Sequence, residues 1–199
     1  MRLEKLGCFV IFYITVFSVF SQDVKMVSEY GIEDEDLYDI SSFQGIEFYK
    51  VKFIGHEINQ KNFILISKEI WDGAITKIDT VLNTSIYNDL PRTLSDTINM
   101  KVIGKRTNEP KLKLLFEFDE YRYQNQFDAI KSDDYSLRTI GTNETITYGK
   151  NFFAFAFILP YERGGFKFWC AIEDSGSDVE NWGKEFGIKH YLVFEMKFF

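Results

Sequence analysis

The chain has 199 residues and a formal net charge of −7, with phenylalanine and tyrosine supplying most of an aromatic share of 18%. That length is enough for one domain with a core of its own. The acidic balance, with no basic patch to offset it, argues against nucleic acid and anionic membrane surfaces as partners.

The N-terminus carries the most specific signal. Arg2 and Lys5 precede an uncharged run over residues 6–20, and Val19 and Ser21 stand at −3 and −1 of a cut before Gln22. A basic head, a short apolar middle and a small residue at the exit predict a secretory signal peptide over 1–21. An uncleaved anchor is the alternative, but the apolar run is short against a span of about 20 residues. Cleavage would remove Cys8 and leave Cys170 as the lone thiol, so no internal disulfide is expected. It would also set the net charge at about −8, by loss of Arg2, Lys5 and Glu4. The chain is therefore expected to be exported: periplasmic, cell-surface or secreted, with no membrane span in the mature part.

Residues 22–44 are acidic and sparsely apolar and are read as a solvated leader. Leu37, Ile40 and Phe43 are spaced for a short helix within it. From Gly45 a single β-rich domain, 45–199, is expected. Tyr49, Val51 and Phe53 alternate with lysines as on a half-buried strand. Asp72-Gly73 between two β-rich runs predicts a hairpin, since both turn positions favour positive φ. Over 83–100 the pattern breaks, and Leu90, Leu94 and Ile98, with Asp89 and Pro91 at the start, predict a loop with a short helix. Leu112, Leu114, Phe116 and Phe118 share one strand face. Tyr121 and Tyr123 have the opposite parity, which predicts a bulge near Asp119-Glu120. Residues 124–143 read as a long polar loop.

The run Asn151–Pro160 is apolar on both alternating faces and predicts a central strand covered on both sides. Phe153, Phe155, Phe157 and Leu159 would face the opposing sheet, and Ala154 and Ala156 would admit the helix near 178–186. Pro160 ends the strand and Gly164-Gly165 reverse the chain. Phe166, Phe168 and Cys170 then line up as a core face. Ser177 with Glu180 forms a capping box for a helix carrying Val179, Trp182 and Phe186 on one side, stopped by Gly187. Leu192, Phe194, Met196 and Phe198 mark a last half-buried strand.

For chemistry the sequence offers little. His56 and His190 have no metal-ligand spacing, and no HExxH, CxxC or GxSxG is present. Asp174, Asp178 and Glu180 flank Gly176 and make a candidate calcium loop, though the EF-hand pattern is not met; no other cofactor is indicated. Tyr121, Tyr123, Trp169 and Trp182 are candidates for a shallow ligand platform, because rings stack on apolar faces while their polar tips stay wet. Asn83-Thr84-Ser85 and Asn143-Glu144-Thr145 match the N-glycosylation pattern. The expected fold is mainly β, an antiparallel sandwich-like single domain with one or two short helices. The expected function is a non-enzymatic exported binding or interaction module for a protein, peptide or glycan. The alternatives are a small outer-membrane β-barrel and a carboxylate-dependent hydrolase.

Overall fold

The computed structural model describes residues 23–86, 95–143, 145–169 and 178–199. The expected signal peptide, Leu90, Leu94, Cys170, Asp174 and Ser177 lie outside the described residues.

The domain is mainly β and antiparallel, with two short helices. The strands are β1 (Asp23–Tyr30), β2 (Ile46–Ile54), β3 (Phe63–Trp71), β4 (Ala74–Asn83), β5 (Thr97–Arg106), β6 (Lys111–Phe118) and β7 (Arg122–Asp128). They continue with β8 (Ser136–Thr139), β9 (Ile146–Thr147), β10 (Phe152–Ile158), β11 (Tyr161–Arg163), β12 (Phe166–Phe168) and β13 (His190–Phe198). The helices are α1 (Glu35–Phe43) and α2 (Trp182–Phe186). One sheet has the order β7-β6-β5-β2-β1-β9 and the other β4-β3-β13-β10-β8, while β11 and β12 pair apart from both. The two large sheets pack face to face through aromatic side chains. Phe116 of β6 meets Phe194 of β13 at 5.2 Å between ring centroids, Phe53 of β2 meets Phe198 at 5.4 Å, and Phe127 of β7 meets Phe194 edge-on at 5.6 Å. Edge-to-face pairs at these distances bring the ring edge to the neighbour's π cloud, a gain beyond burial alone.

The alternating runs fold as expected. Tyr49, Val51 and Phe53 face the core, as do Leu112, Leu114, Phe116 and Phe118. The hairpin turns at Asp72 (φ 47°) and Gly73 (φ 75°), the two positive values that a two-residue turn of this hand needs. A Cβ on Gly73 would also stand 2.5 Å from Lys184 Cγ and 2.9 Å from the Lys184 backbone nitrogen. Gly73→Val is therefore expected to cost about 2–3 kcal/mol, from backbone strain and the clash with α2. Urea unfolding against wild type measures it.

Several expectations are corrected. Asp23–Tyr30 is a strand, not a solvated leader: it pairs with β2 and β9 and buries Val24 and Met26. The helix in that segment does form, capped by Asp34 Oδ1 accepting from the Leu37 N–H, but none of its residues is buried. Ile98 lies in β5 and not on a helix. The parity change after Phe118 comes from a tight reversal, closed by Phe118 N–H donating to Tyr121 O, and not from a bulge. The expected long loop contains the end of β7 and all of β8. Phe166 and Phe168 are exposed on the β11–β12 hairpin and do not enter the core.

The apolar run does form a buried strand between β13 and β8. A register shift between Phe153 and Phe155 changes its facing. Phe152 joins Phe155 and Phe157 among the core rings, packing on Phe53 and Phe198, whereas Phe153 lies under the Lys68 ammonium, 5.3 Å from its centroid. Ala154 and Ala156 are fully buried. Gly104 on β5 has no Cβ to hold off Phe157, whose ring would stand 3.0 Å from one.

A 3₁₀ turn, Val179–Asn181, leads into α2, and Gly187 (φ 70°) ends it. Val179 and Trp182 are buried, and the Tyr191 hydroxyl bridges the turn by accepting from Gly183 N–H while lying 3.0 Å from Val179 O. The expected capping box pairs Ser177, which lies outside the described residues, with Glu180. The Glu180 carboxylate accepts from Lys68 Nζ at 2.5 Å, and Lys68 also bonds Glu195 at 2.9 Å. Covered by these groups on its outer side, β13 is buried on both faces over His190–Phe194 and is not the half-buried strand expected.

Candidate binding face

The four candidate aromatics are not brought together. Trp182 is fully buried and offers no ring face to a ligand. Tyr121 stacks on Phe118 at 4.8 Å, and Phe118 meets Phe63, which is paired in register with Phe198. Tyr123 sits two residues along, opposite Phe116. Trp169 instead donates from Nε1 to Asp134 O, next to Tyr135, which bonds His190 at the other end of β13. Of the calcium candidates, Asp178 accepts from Asn181 Nδ2 and Glu180 is paired with Lys68. Among the described residues no group of three or more His, Cys, Asp or Glu is placed to hold a metal ion.

The end of the sandwich that holds His190 is where the core turns polar. His190 Nδ1 lies 2.5 Å from the Tyr135 hydroxyl, which also accepts from Ile130 N–H. The Trp71 ring lies 4.1 Å from the imidazole centroid, and Nε2 has no hydrogen-bond partner among the described residues. Burial pushes the His190 pKa down to about 4, with nearby Asp128 opposing. At the same end Glu47 accepts from Leu137 N–H (2.8 Å) and Ser136 Oγ (3.1 Å), tying β2 to β8 across the sandwich. Burial raises its pKa, against those hydrogen bonds and the charges of Arg106 and Arg138. His190 and Tyr135 are buried, and their hydrogen bond ties β13 to the start of β8.

The outer face of the six-stranded sheet is different. Alternation in β2, β5 and β6 sends lysines outward: Lys50 and Lys52, Lys101 and Lys105, Lys111 and Lys113. The strand register sorts them into rows. Lys105 lies directly opposite Lys113, and neither has an ion-pair partner among the described residues. The next row is apolar and half-buried, running Phe48–Ile103–Leu115 across three strands. Beyond it Lys50 and Lys101 sit side by side but are neutralised, Lys50 by Glu33 at 2.5 Å and Lys101 by Glu117 at 2.7 Å. At the near edge Lys111 pairs with Asp128.

Next to the bare pair, between the end of α1 and the β5–β6 turn, lies a cleft of about 730 Å³ lined by Ser42, Phe43, Lys105, Arg106, Lys113 and Asp133, among others. The Arg106 guanidinium is fixed there by the carbonyls of Asp133 and Tyr135. Like charges opposed on a sheet repel and cost stability, so an unpartnered Lys105–Lys113 pair in an acidic chain marks a site that an anion would relieve. The reading that no basic patch exists is corrected: Lys105 and Lys113 are set opposite one another in the β5–β6 hairpin, and β2 is brought alongside β5 from much earlier in the chain. The short signals for it, "KVK" and "KLK", are visible, but their adjacency is not.

Comparison with protein-family models, with curated proteins and with solved structures gives no match. The fold and this face define a β-sandwich-like domain with one basic, partly apolar sheet face.

Proposed function

We propose that the protein is an exported, non-enzymatic binding module that takes an anionic ligand on the outer face of its six-stranded sheet. The observation that carries this is the in-register Lys105–Lys113 pair, without an ion-pair partner among the described residues and beside a cleft that also holds Arg106 and Asp133. Export rests on the basic head, apolar middle and small-residue exit of residues 1–21. The strands make two open sheets and not a closed cylinder, which favours this reading over the barrel. Carboxylates at Glu69, Glu117, Asp119 and Glu180 are engaged by Lys77, Lys101, Asn99 and Lys68, which favours it over the hydrolase.

The test is binding of residues 22–199 to an immobilised polyanion at low and high salt. Binding is expected at low ionic strength, weakening as NaCl rises because exposed charges are screened beyond about 10 Å at 0.1 M. Lys105→Gln/Lys113→Gln should lower affinity about tenfold, or about 1.4 kcal/mol for two contacts. Affinity indifferent to both salt and this pair would exclude the face as the site.

A further inference from the structure

We propose that β4 is the contact through which two copies of this chain pair, edge to edge, into a dimer whose five-stranded sheets join as one. β4 stands at the end of the order β4-β3-β13-β10-β8 and pairs with β3 alone. Its first seven residues, 74–80, are exposed on both faces, and Ile75 and Ile78 are 40% and 61% exposed. A long strand with free N–H and C=O groups along one side is a template for another strand. The other sheet ends are poorer templates. β9 has two residues and β8 four, and on β7 the Gln126 N–H donates to Asn125 Oδ1, so that edge is partly closed by its own side chain.

The order of residues on β4 selects a second copy as the partner. Thr76 is an extra residue against β3, because Ile75 lies opposite Ile70 and Lys77 opposite Glu69. Val81 is another, because Thr80 lies opposite Ile66 and Leu82 opposite Leu65. The stretch between them, 77–80, is regular. Antiparallel pairing of this stretch with itself, about a two-fold axis at Ile78, sets Lys77 opposite Asp79 of the second copy, twice, and Ile78 opposite Ile78. Unlike charges and apolar side chains directly opposed both favour a sheet. Lys77 and Asp79 lie two residues apart and share a face. Lys77 bonds Glu69 at 3.3 Å, whereas Asp79 has no ion-pair partner among the described residues and would gain one. Ile78 is on the other face, opposite Lys68, and its copy would cover it. Moving the axis to between Ile78 and Asp79 opposes Ile78 with Asp79 and Lys77 with Thr80, and both matches are lost. Bulges end pairing, so the two in β4 confine the contact to its centre and hold this register. An unrelated extended peptide would have to carry the same charge order, which a second copy supplies by symmetry. The contact lies away from the lysine-bearing face and goes beyond anion binding. Its axis is perpendicular to the sheets, so the lysine-bearing faces of both copies look the same way.

The experiment is sedimentation equilibrium of residues 22–199 at physiological ionic strength, over about a hundredfold range of concentration. Wild type is expected to dimerise. Asp79→Lys and, separately, Ile78→Lys should weaken association by roughly tenfold or more, since each sets lysine opposite lysine. Lys77→Asp should do the same by opposing two aspartates. Mixed in equal amounts, Asp79→Lys and Lys77→Asp should form a heterodimer although neither pairs with itself, because both unlike pairs are then restored. Should Lys77→Asp fail to fold beside Glu69, Lys77→Asp/Glu69→Gln takes its place, and thermal melting confirms that each variant is folded. A monomeric wild type would leave the edge to a strand of another protein and overturn the proposal. So would a dimer that Asp79→Lys and Ile78→Lys leave intact, or a mixture of the two charge-reversed chains that stays monomeric.

Discussion

Trp182→Ala is expected to cost about 3–5 kcal/mol, the range for truncating a buried large aromatic side chain. The ring sits fully buried beside Tyr191, 6.1 Å between centroids, in the short helix that closes one side of β13. Its removal would leave a cavity beside the Tyr191 ring, and the neighbouring backbone cannot collapse into it freely. Gly183 is pressed so close to Gly73 that a Cβ there would stand 2.6 Å from the Gly73 Cα. The hairpin and α2 thus brace one another, and the void is held open. A loss of this size is a large part of the usual 5–15 kcal/mol of a folded domain. Urea unfolding followed by far-UV circular dichroism measures it. Polyanion binding by the fraction still folded should be unchanged, because Trp182 is absent from the lysine-rich face. Near-wild-type stability with lost binding would instead place the indole at the ligand.

Acidification is expected to remove about 3 kcal/mol through His190 as the pH falls from about 6.5 to about 4. The sign follows from the direction of the shift. The folded state holds His190 neutral down to about 4, whereas the unfolded chain takes up a proton near 6.5. Between those values the unfolded state binds more protons, so its contribution to stability is fully present above about 6.5 and lost as the pH falls. Glu47 acts in the opposite sense: its pKa is raised in the folded state, so its contribution is greatest when it is protonated and is lost as the pH rises through the folded value. His190→Phe keeps a ring against Trp71 and removes the titration, and should flatten the slope between pH 6.5 and 4.5. Glu47→Gln should make it steeper. Denaturant midpoints of the three proteins across that range decide the matter. A wild-type slope retained in His190→Phe would refute the assignment.

Strands exposed on one face were legible because alternation survives in the sequence, as in Tyr49–Phe53 and Leu112–Phe118. The Asp72-Gly73 turn was legible because its chemistry is local. What escaped reading was set by distant partners. β1 looks like a polar leader because "DVKMVSEY" has only two residues that become buried, and its place is fixed by β2 on one side and β9 on the other. A one-residue parity change fits a bulge and a tight reversal equally, and β7 hid the reversal because an edge strand needs few apolar residues. In Asn151–Pro160 the bulge at Phe153 exchanged the faces of Phe152 and Phe153, which no alternation count can reveal. The lysine-bearing sheet face was the least legible part: β5 lies beside β2 only because β3 and β4 have been carried to the other sheet.

That same topology sets an order on folding. β13 lies at the centre of the five-stranded sheet, between β3 and β10, yet it is the last strand to be synthesised among these residues. Until residue 198 has been made, β3 and β10 have no common neighbour, and the core rings Phe53, Phe116 and Phe127 lack Phe194 and Phe198 to close over them. The nascent chain can form the β3–β4 and β5–β6–β7 hairpins, but the sandwich must wait for its longest-range pairing, as contact-order arguments require. A central strand made after both its neighbours leaves them as separate, unsatisfied edges until it arrives, so the five-stranded sheet closes in one late step.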